Sequence, residues 1–115
     1  MIELLIDEAT PSLNQMLRRH WSVDAKLKKR WRQLVMVAAC GKMPKAAMTR
    51  ARITITRLSP RMLDSDNATG GTKHLIDGLR WCGVIADDTP EHVELIVKQE
   101  KGKAATRVQI EELGL

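Results

Sequence analysis

Two aspartates, Asp64 and Asp66, stand two residues apart in the segment LDSDNATGG. In an extended chain these two side chains point the same way, where their charges repel. A divalent cation removes that conflict, and Mg²⁺ prefers oxygen ligands of this kind. Asp87 and Asp88 offer further ligands from a second segment. The pattern predicts a carboxylate-held magnesium site, although D-x-D alone is equally typical of a turn.

A lysine, Lys73, follows the first aspartate pair. A metal held by carboxylates can activate water and neutralise charge on a scissile phosphate. A lysine nearby can stabilise the negative oxygen that develops in phosphodiester cleavage. Taken alone, however, Lys73 fits a solvated helix position.

The charge distribution favours an acidic partner. The chain has a net charge of +5 and a pI near 9.6, and thirteen of its lysines and arginines lie between Leu17 and Arg61 with one acid, Asp24. Such a segment suits contacts with phosphates, although a basic run can also be a solvated surface. The residues predicted to contact DNA are Arg18, Arg19, His20, Lys26, Lys29, Arg30, Arg52 and Arg61.

Two helices are predicted between stretches of alternating sequence. A helix beginning near Ser22, its N-cap, has apolar residues at helical spacing and ends at Gly41. A second helix begins at Thr72 and ends at Gly83, after two glycines that break the chain. His74 is expected to be solvated on this helix.

Strands are predicted at residues 2–7, 51–58, 92–99 and 105–112. The last two are joined by the polar turn EKGKA and are expected to pair as a hairpin. The order β-α-β-α-β-β predicts a single domain over residues 1–115, a small mixed sheet with two helices in the α/β (α+β) class.

Residues 64–88, DSDNATGGTKHLIDGLRWCGVIADD, resemble the signature of the RusA-like endodeoxyribonucleases, the Holliday junction resolvases of prophages and bacteria. That family shows D-x-D-N, a helical lysine four residues before an aspartate, and G-[VIF]-x-x-D-D. The upstream segment TPSLNQMLRRHW is similar to the family's Pro-Ser-x-Asn segment. The spacing from Asp66 to Lys73 is longer here than in the best-known member, through the residues ATGG.

The resemblance implies a magnesium-dependent endonuclease that resolves four-way DNA junctions by paired nicks in recombination and repair. It assigns Asp64, Asp66 and Asp88 as catalytic metal ligands and Lys73 as the catalytic lysine, with Asp87 as an additional candidate ligand. It also implies a homodimer, and two symmetric cuts suit a two-fold dimer. The alternatives are a flap or branched-DNA nuclease on the same fold and a non-catalytic DNA-binding protein.

The remaining sequence features concern the dimer surface and the compartment. Candidates for an apolar dimer interface lie around Met43, Met48, Met62 and Leu63. No apolar run is long enough to span a membrane, and no signal peptide is apparent. Cys40 and Cys82 are expected to be reduced core thiols. A cytoplasmic location is predicted.

Overall fold

A four-stranded mixed sheet carries the helices on one face. The computed structural model describes residues 1–17 and 21–114. The elements in chain order are β1 (Ile2–Ile6), α1 (Leu13–Leu17), α2 (Trp21–Ala39), β2 (Ala51–Ser59), α3 (Ser65–Gly70), α4 (Lys73–Cys82), β3 (Val93–Lys101) and β4 (Ala105–Glu112). The predicted α/β class and mixed sheet are confirmed, and the short helices α1 and α3 add to the two that the sequence predicted.

The strand order is β1-β4-β2-β3. β2 pairs with β3 in parallel, whereas β4 is antiparallel to both β1 and β2. The predicted hairpin between β3 and β4 is therefore wrong, because β2 lies between them. Ile53 and Ile55 of β2 are fully buried, and β2 lies between β4 and β3 inside the sheet. The alternation of the last two strands predicts that each is a strand but does not predict its partner.

The core fills the space between the sheet and the pair α2 and α4. Trp31 and Val35 of α2 and Leu75 and Leu79 of α4 are buried against it. Leu4, Ile53, Ile55, Val108 and Ile110 cover the sheet side. Gly78 lets the two helices approach closely, since a Cβ there would lie 3.0 Å from Val35 Cγ2. The parallel connection from β2 through α3 and α4 to β3 thus packs its main helix on the sheet.

The helix starts differ from the sequence prediction in two places, whereas the predicted ends are confirmed. Ser22 lies inside α2, which begins at Trp21. Thr72 precedes α4 but makes no side-chain cap; its hydroxyl donates to the carbonyl of Thr69 at 2.7 Å. Gly41 and Gly83 have the left-handed φ values of 78° and 88° expected of residues that end helices.

The predictions about Met48 and Cys40 are wrong as well. Met48 is part of the core, so it is not available to a dimer interface, whereas Met43 and Met62 are about half exposed. Cys82 is partly buried, but Cys40 is exposed, because it follows the end of α2 where the chain leaves the core. Both thiols are free.

Candidate active site

Asp64 is the N-cap of α3. Its Oδ1 accepts a hydrogen bond from the backbone N–H of Asn67 at 2.9 Å, and its Oδ2 accepts one from Asn67 Nδ2 at 2.9 Å. Asp66 falls in the first turn of the same helix. The expectation that residues 64–66 are extended is therefore wrong, because the aspartate cap and the asparagine three residues later favour a helix start.

Asp66 and Lys73 are both exposed and, within the described chain, neither forms a hydrogen bond or ion pair. They lie on separate helices, Asp66 in the first turn of α3 and Lys73 at the first residue of α4, joined by a turn in which Gly71 and Thr72 both have right-handed backbone angles. The two side chains are thus free for a ligand at the same end of the molecule.

The two glycines before Lys73 are required for steric reasons. Neither has a positive φ, so backbone conformation alone does not demand glycine there. A Cβ at Gly71 would lie 1.7 Å from the carbonyl oxygen of Pro11, and one at Gly70 would lie 2.8 Å from the Leu13 side chain. Asn67 Oδ1 also accepts from the backbone N–H of Asn14 at 3.1 Å. The segment before α1 is therefore packed directly on the turn that joins α3 to α4.

The helix α1 itself begins with a capping box that sequence analysis missed. Gln15 N donates to Ser12 Oγ at 3.1 Å, and Ser12 N donates to Gln15 Oε1 at 3.0 Å. The S-x-x-Q spacing is the signal that predicts such a start. This cap fixes the segment that packs against Gly70 and Gly71.

Arg57 of β2 connects the segment before α1 and the segment after β2 to the sheet. Its Nε donates to the carbonyl of Thr10 at 2.8 Å and its Nη1 to that of Arg61 at 3.2 Å. Burial lowers the pKa of the Arg57 guanidinium from its ordinary value. The positive charge of Arg57 therefore lies at the same end of the sheet as Asp64, a contribution that the sequence did not predict.

Asp87 and Asp88 lie at the other end of the β2–β3 pair. Ala86 N donates to the carbonyl of Met48 at 2.8 Å, just before β2 begins, and the Thr89 carbonyl accepts from the first residue of β3, Val93. Asp88 is exposed. Its backbone N–H donates to Asp87 Oδ1 at 2.8 Å and lowers the pKa of Asp87.

The two aspartate pairs are therefore separated within one chain. Leu63, beside Asp64, is hydrogen-bonded to Gln99, the seventh residue of β3, whereas Asp88 precedes Val93, the first. Six residues of strand correspond to about 20 Å. The expectation that Asp64, Asp66 and Asp88 converge in one chain is wrong, because the helix α4 carries the chain back along the sheet between them.

The single chain does not fit a three-carboxylate magnesium site. Among residues 1–17 and 21–114, no three His, Cys, Asp or Glu side chains are grouped so that they could hold a metal ion. Both carboxylate oxygens of Asp64 already accept hydrogen bonds from Asn67. Any such site needs carboxylates that this chain does not bring together on its own.

The predicted DNA-contacting residues do not form one surface. Lys26 and Lys29 of α2 are exposed, and Arg61 is exposed beyond β2. Arg30 is paired with Glu8. Arg52 lies on the sheet face opposite the helices and contacts Glu94 at 3.4 Å and Glu111 at 3.5 Å. Arg18, Arg19 and His20 lie outside the described residues.

His74 is buried, contrary to the expectation of a solvated position. It is 3% exposed, and its Nε2 lies 2.9 Å from Asp24 Oδ1, which joins the starts of α2 and α4. Its place beside Leu75 on the inner side of α4 explains the burial. His74 therefore acts in helix packing and is not a free ligand.

The comparisons with known proteins add no family assignment. No protein-family model matches the chain, and no curated protein matches it. No helix in the described part of the chain is both long and apolar enough to cross a membrane. The likeness to RusA-like enzymes thus rests on the motifs of residues 64–88 and on the segment TPSLNQMLRRHW at residues 10–21.

Proposed function

We propose that the protein is a magnesium-dependent endodeoxyribonuclease that resolves four-way DNA junctions as a homodimer, in DNA recombination and repair. The observation that carries the proposal is the exposure of the motif side chains. Asp66, Lys73 and Asp88 are all at the surface and free of ion pairs within the described residues, and Asp64 is exposed as well. These charged groups are therefore accessible to a metal ion and to a phosphate.

A second copy of the chain supplies what one chain lacks. The Asp64 end and the Asp88 end lie on opposite sides of one protomer. A two-fold axis can place the Asp64 end of one protomer against the Asp88 end of its partner. The same symmetry forms a second, equivalent pair of ends. Two equivalent sites of this kind suit two cuts in opposed strands. The homodimer is thus part of the proposed site itself.

The chain's own residues have distinct roles in this proposal. Bound Mg²⁺ would supply charge neutralisation and water activation, with Asp66 and Asp88 as the freest carboxylates to hold it. Lys73 places a positive charge beside the scissile phosphate. Lys26 and Lys29, exposed on α2, contact the phosphates of a DNA arm.

Cleavage of an end-labelled four-way junction, with and without Mg²⁺, tests the proposal. Wild-type protein is expected to make paired nicks that need the metal, and Asp66→Asn is expected to bind without cutting. Asp7→Asn, which removes another exposed carboxylate, is the matched control and should cut normally. Junction, flap and duplex substrates in parallel separate a resolvase from a flap or branched-DNA nuclease. Wild-type protein that cuts none of them contradicts the proposal.

A non-catalytic DNA-binding protein is the second candidate. The separation of the two aspartate pairs favours it, since no group of three metal-ligating side chains forms in the part of the chain that is described. In that case wild-type protein binds branched DNA, and Mg²⁺ produces no nicks. Asp66→Asn would then leave binding and every other measured property unchanged.

A further inference from the structure

A cluster of cations surrounds one carboxylate where α2 packs on α4. Asp77 is 7% exposed. Arg32 Nε donates to its Oδ2 at 2.8 Å, Lys28 Nζ lies 3.9 Å from its Oδ1, and Arg80 Nη2 lies 3.6 Å from the same oxygen. We call this surface the α2–α4 seam and include in it Lys28, Lys29, Arg32, Asp77, Arg80 and Trp81.

The seam has more positive charge than its carboxylate neutralises. Three cations surround Asp77, and Lys28 and Arg80 keep 43% and 47% of their side chains exposed. Lys29 is exposed and forms no ion pair within the described residues. One cation is enough to neutralise the single negative charge of Asp77, so the three that contact it leave a net positive charge. The surplus is therefore available to an anion.

The geometry of the seam is fixed by packing. The Arg32 guanidinium lies 5.5 Å from the centre of the Trp81 ring, an arrangement that holds both side chains. Trp81 is itself 52% exposed. A groove of about 410 Å³ runs between Ala25, Lys28, Lys29, Arg32, Gln33 and Trp81. A ligand thus meets preformed cations beside an aromatic wall, which lowers the cost of ordering side chains on binding.

We propose that the α2–α4 seam binds the phosphodiester backbone of nucleic acid. Lysine and arginine beside an aromatic ring form the usual surface for a strand whose phosphates and bases or sugars are both contacted. On α4 the seam runs from Asp77 to Trp81, about 6 Å along the helix axis, which corresponds to about two phosphates of one strand of a duplex. It begins one turn after Lys73 and ends near Asp87. The inference rests on the proposed function and identifies where the DNA strand would run between the two aspartate ends.

Binding measurements without metal test the seam directly. Labelled four-way junction, plain duplex and single strand are titrated in EDTA by fluorescence anisotropy, over a series of salt concentrations. The double variant Lys28→Gln/Arg80→Gln, which leaves Arg32 paired with Asp77, is compared with Lys45→Gln/Lys103→Gln, which removes the same charge from other exposed positions. Each lost phosphate contact should weaken binding about tenfold at 0.1 M salt and lower the slope of log affinity against log salt by about 0.9 on duplex. The three substrates show whether a duplex arm or a single strand supplies the phosphates.

The outcomes separate the seam from the catalytic proposal. A larger loss for the seam variant than for the control supports the seam, whether or not wild-type protein cuts DNA with Mg²⁺. Equal losses of affinity in the two variants overturn the seam proposal, because binding then depends only on net charge. No loss in either variant also overturns it, because the seam then does not contact DNA. Normal Mg²⁺-dependent cutting together with normal binding by the seam variant would leave the nuclease standing and the seam refuted. If the seam variant loses binding but wild-type protein cuts no DNA with Mg²⁺, the seam is supported and the nuclease is refuted.

Discussion

Gln99 holds Leu63 by two hydrogen bonds of 2.8 Å, one from the Leu63 N–H to Oε1 and one from Nε2 to the Leu63 carbonyl. This pair fixes the start of the Asp64 segment beside the last third of β3. Asp88 precedes the first residue of the same strand. The relationship between Gln99 and Leu63 therefore sets the distance between the two parts of the proposed site.

Replacing Gln99 with Met tests that link. Met keeps the length of the side chain but removes both hydrogen bonds, so we expect the free energy of unfolding to fall by about 1 to 2 kcal/mol. Urea denaturation followed by circular dichroism measures the change. Gln109→Met on the uncovered sheet face, where the structure gives the side chain no hydrogen bond, should cost much less. Similar losses in both variants would show that the Leu63 bonds contribute nothing specific.

Gly71 should tolerate no side chain. A Cβ there meets the Pro11 carbonyl at 1.7 Å, so Gly71→Ala must displace one of the two segments, at a cost of about 1 to 3 kcal/mol. Thermal unfolding compares it with Gly102→Ala, whose nearest neighbour would be 3.8 Å away. A Gly71→Ala protein as stable as wild type would mean that Pro11 is not packed tightly against Gly71.

These glycines illustrate what sequence patterns can predict about this fold. Alternation and helical spacing predict the four strands and the two long helices closely, because these patterns reflect which side of each element is buried. They predict a break at Gly70 and Gly71 but not its reason, which is the close approach of Pro11 and Leu13. Strand partners depend on the whole sheet, and so the expected hairpin of β3 and β4 is wrong.

Asp77 should make stability depend on pH in the acid range. Burial alone would raise the pKa of this carboxyl, but the Arg32 hydrogen bonds and the charges of Lys28 and Arg80 outweigh burial and lower the pKa. A lowered folded-state pKa adds stability above the ordinary aspartate range near about 3.9, and that stability is lost as pH falls through the folded value. Asp77→Asn is expected to be about 2 kcal/mol less stable at pH 7.

The difference between wild type and Asp77→Asn should shrink as pH falls below about 4, where the carboxyl in the unfolded chain takes up a proton, and should vanish below the lower pKa of the folded state. Urea denaturation from pH 2.5 to pH 7 measures the gap. Asp7→Asn, at an exposed position, is the control and should run parallel to wild type. A gap for Asp77→Asn that is constant over this range would refute a stabilising charge at Asp77.

Asp64 and Asp66 should differ in stability although both belong to the motif. Asp64 caps α3 through Asn67, so Asp64→Ala is expected to cost about 1 kcal/mol. Asp66→Ala removes an exposed side chain without a partner in the described chain and should be within about 0.5 kcal/mol of wild type. Denaturation midpoints compare the two. If Asp66→Ala were the more destabilising, Asp66 would have a structural role.

The candidate site was predictable in its residues but not in its arrangement. The D-x-D-N pattern, Lys73 and the aspartate pair at Asp87 and Asp88 can be identified from type and order alone. Whether they meet depends on the direction of α4 and on the parallel pairing of β2 with β3, which no local pattern encodes. The partners of Asp77 were missed for the same reason, since Lys28 and Arg32 belong to another helix.

Mixing two inactive variants tests most directly the central claim that the site is shared between two copies. Asp66→Asn and Asp88→Asn are each expected to be inactive on a four-way junction. Mixed dimers of the two have one site with both substitutions and one intact site, so random reassortment should restore about a quarter of the wild-type sites. Mg²⁺-dependent nicking that appears only after the variants are mixed and their subunits exchange is the predicted result. A mixture that stays inactive after subunit exchange, shown by mass-labelled chains, would contradict the account.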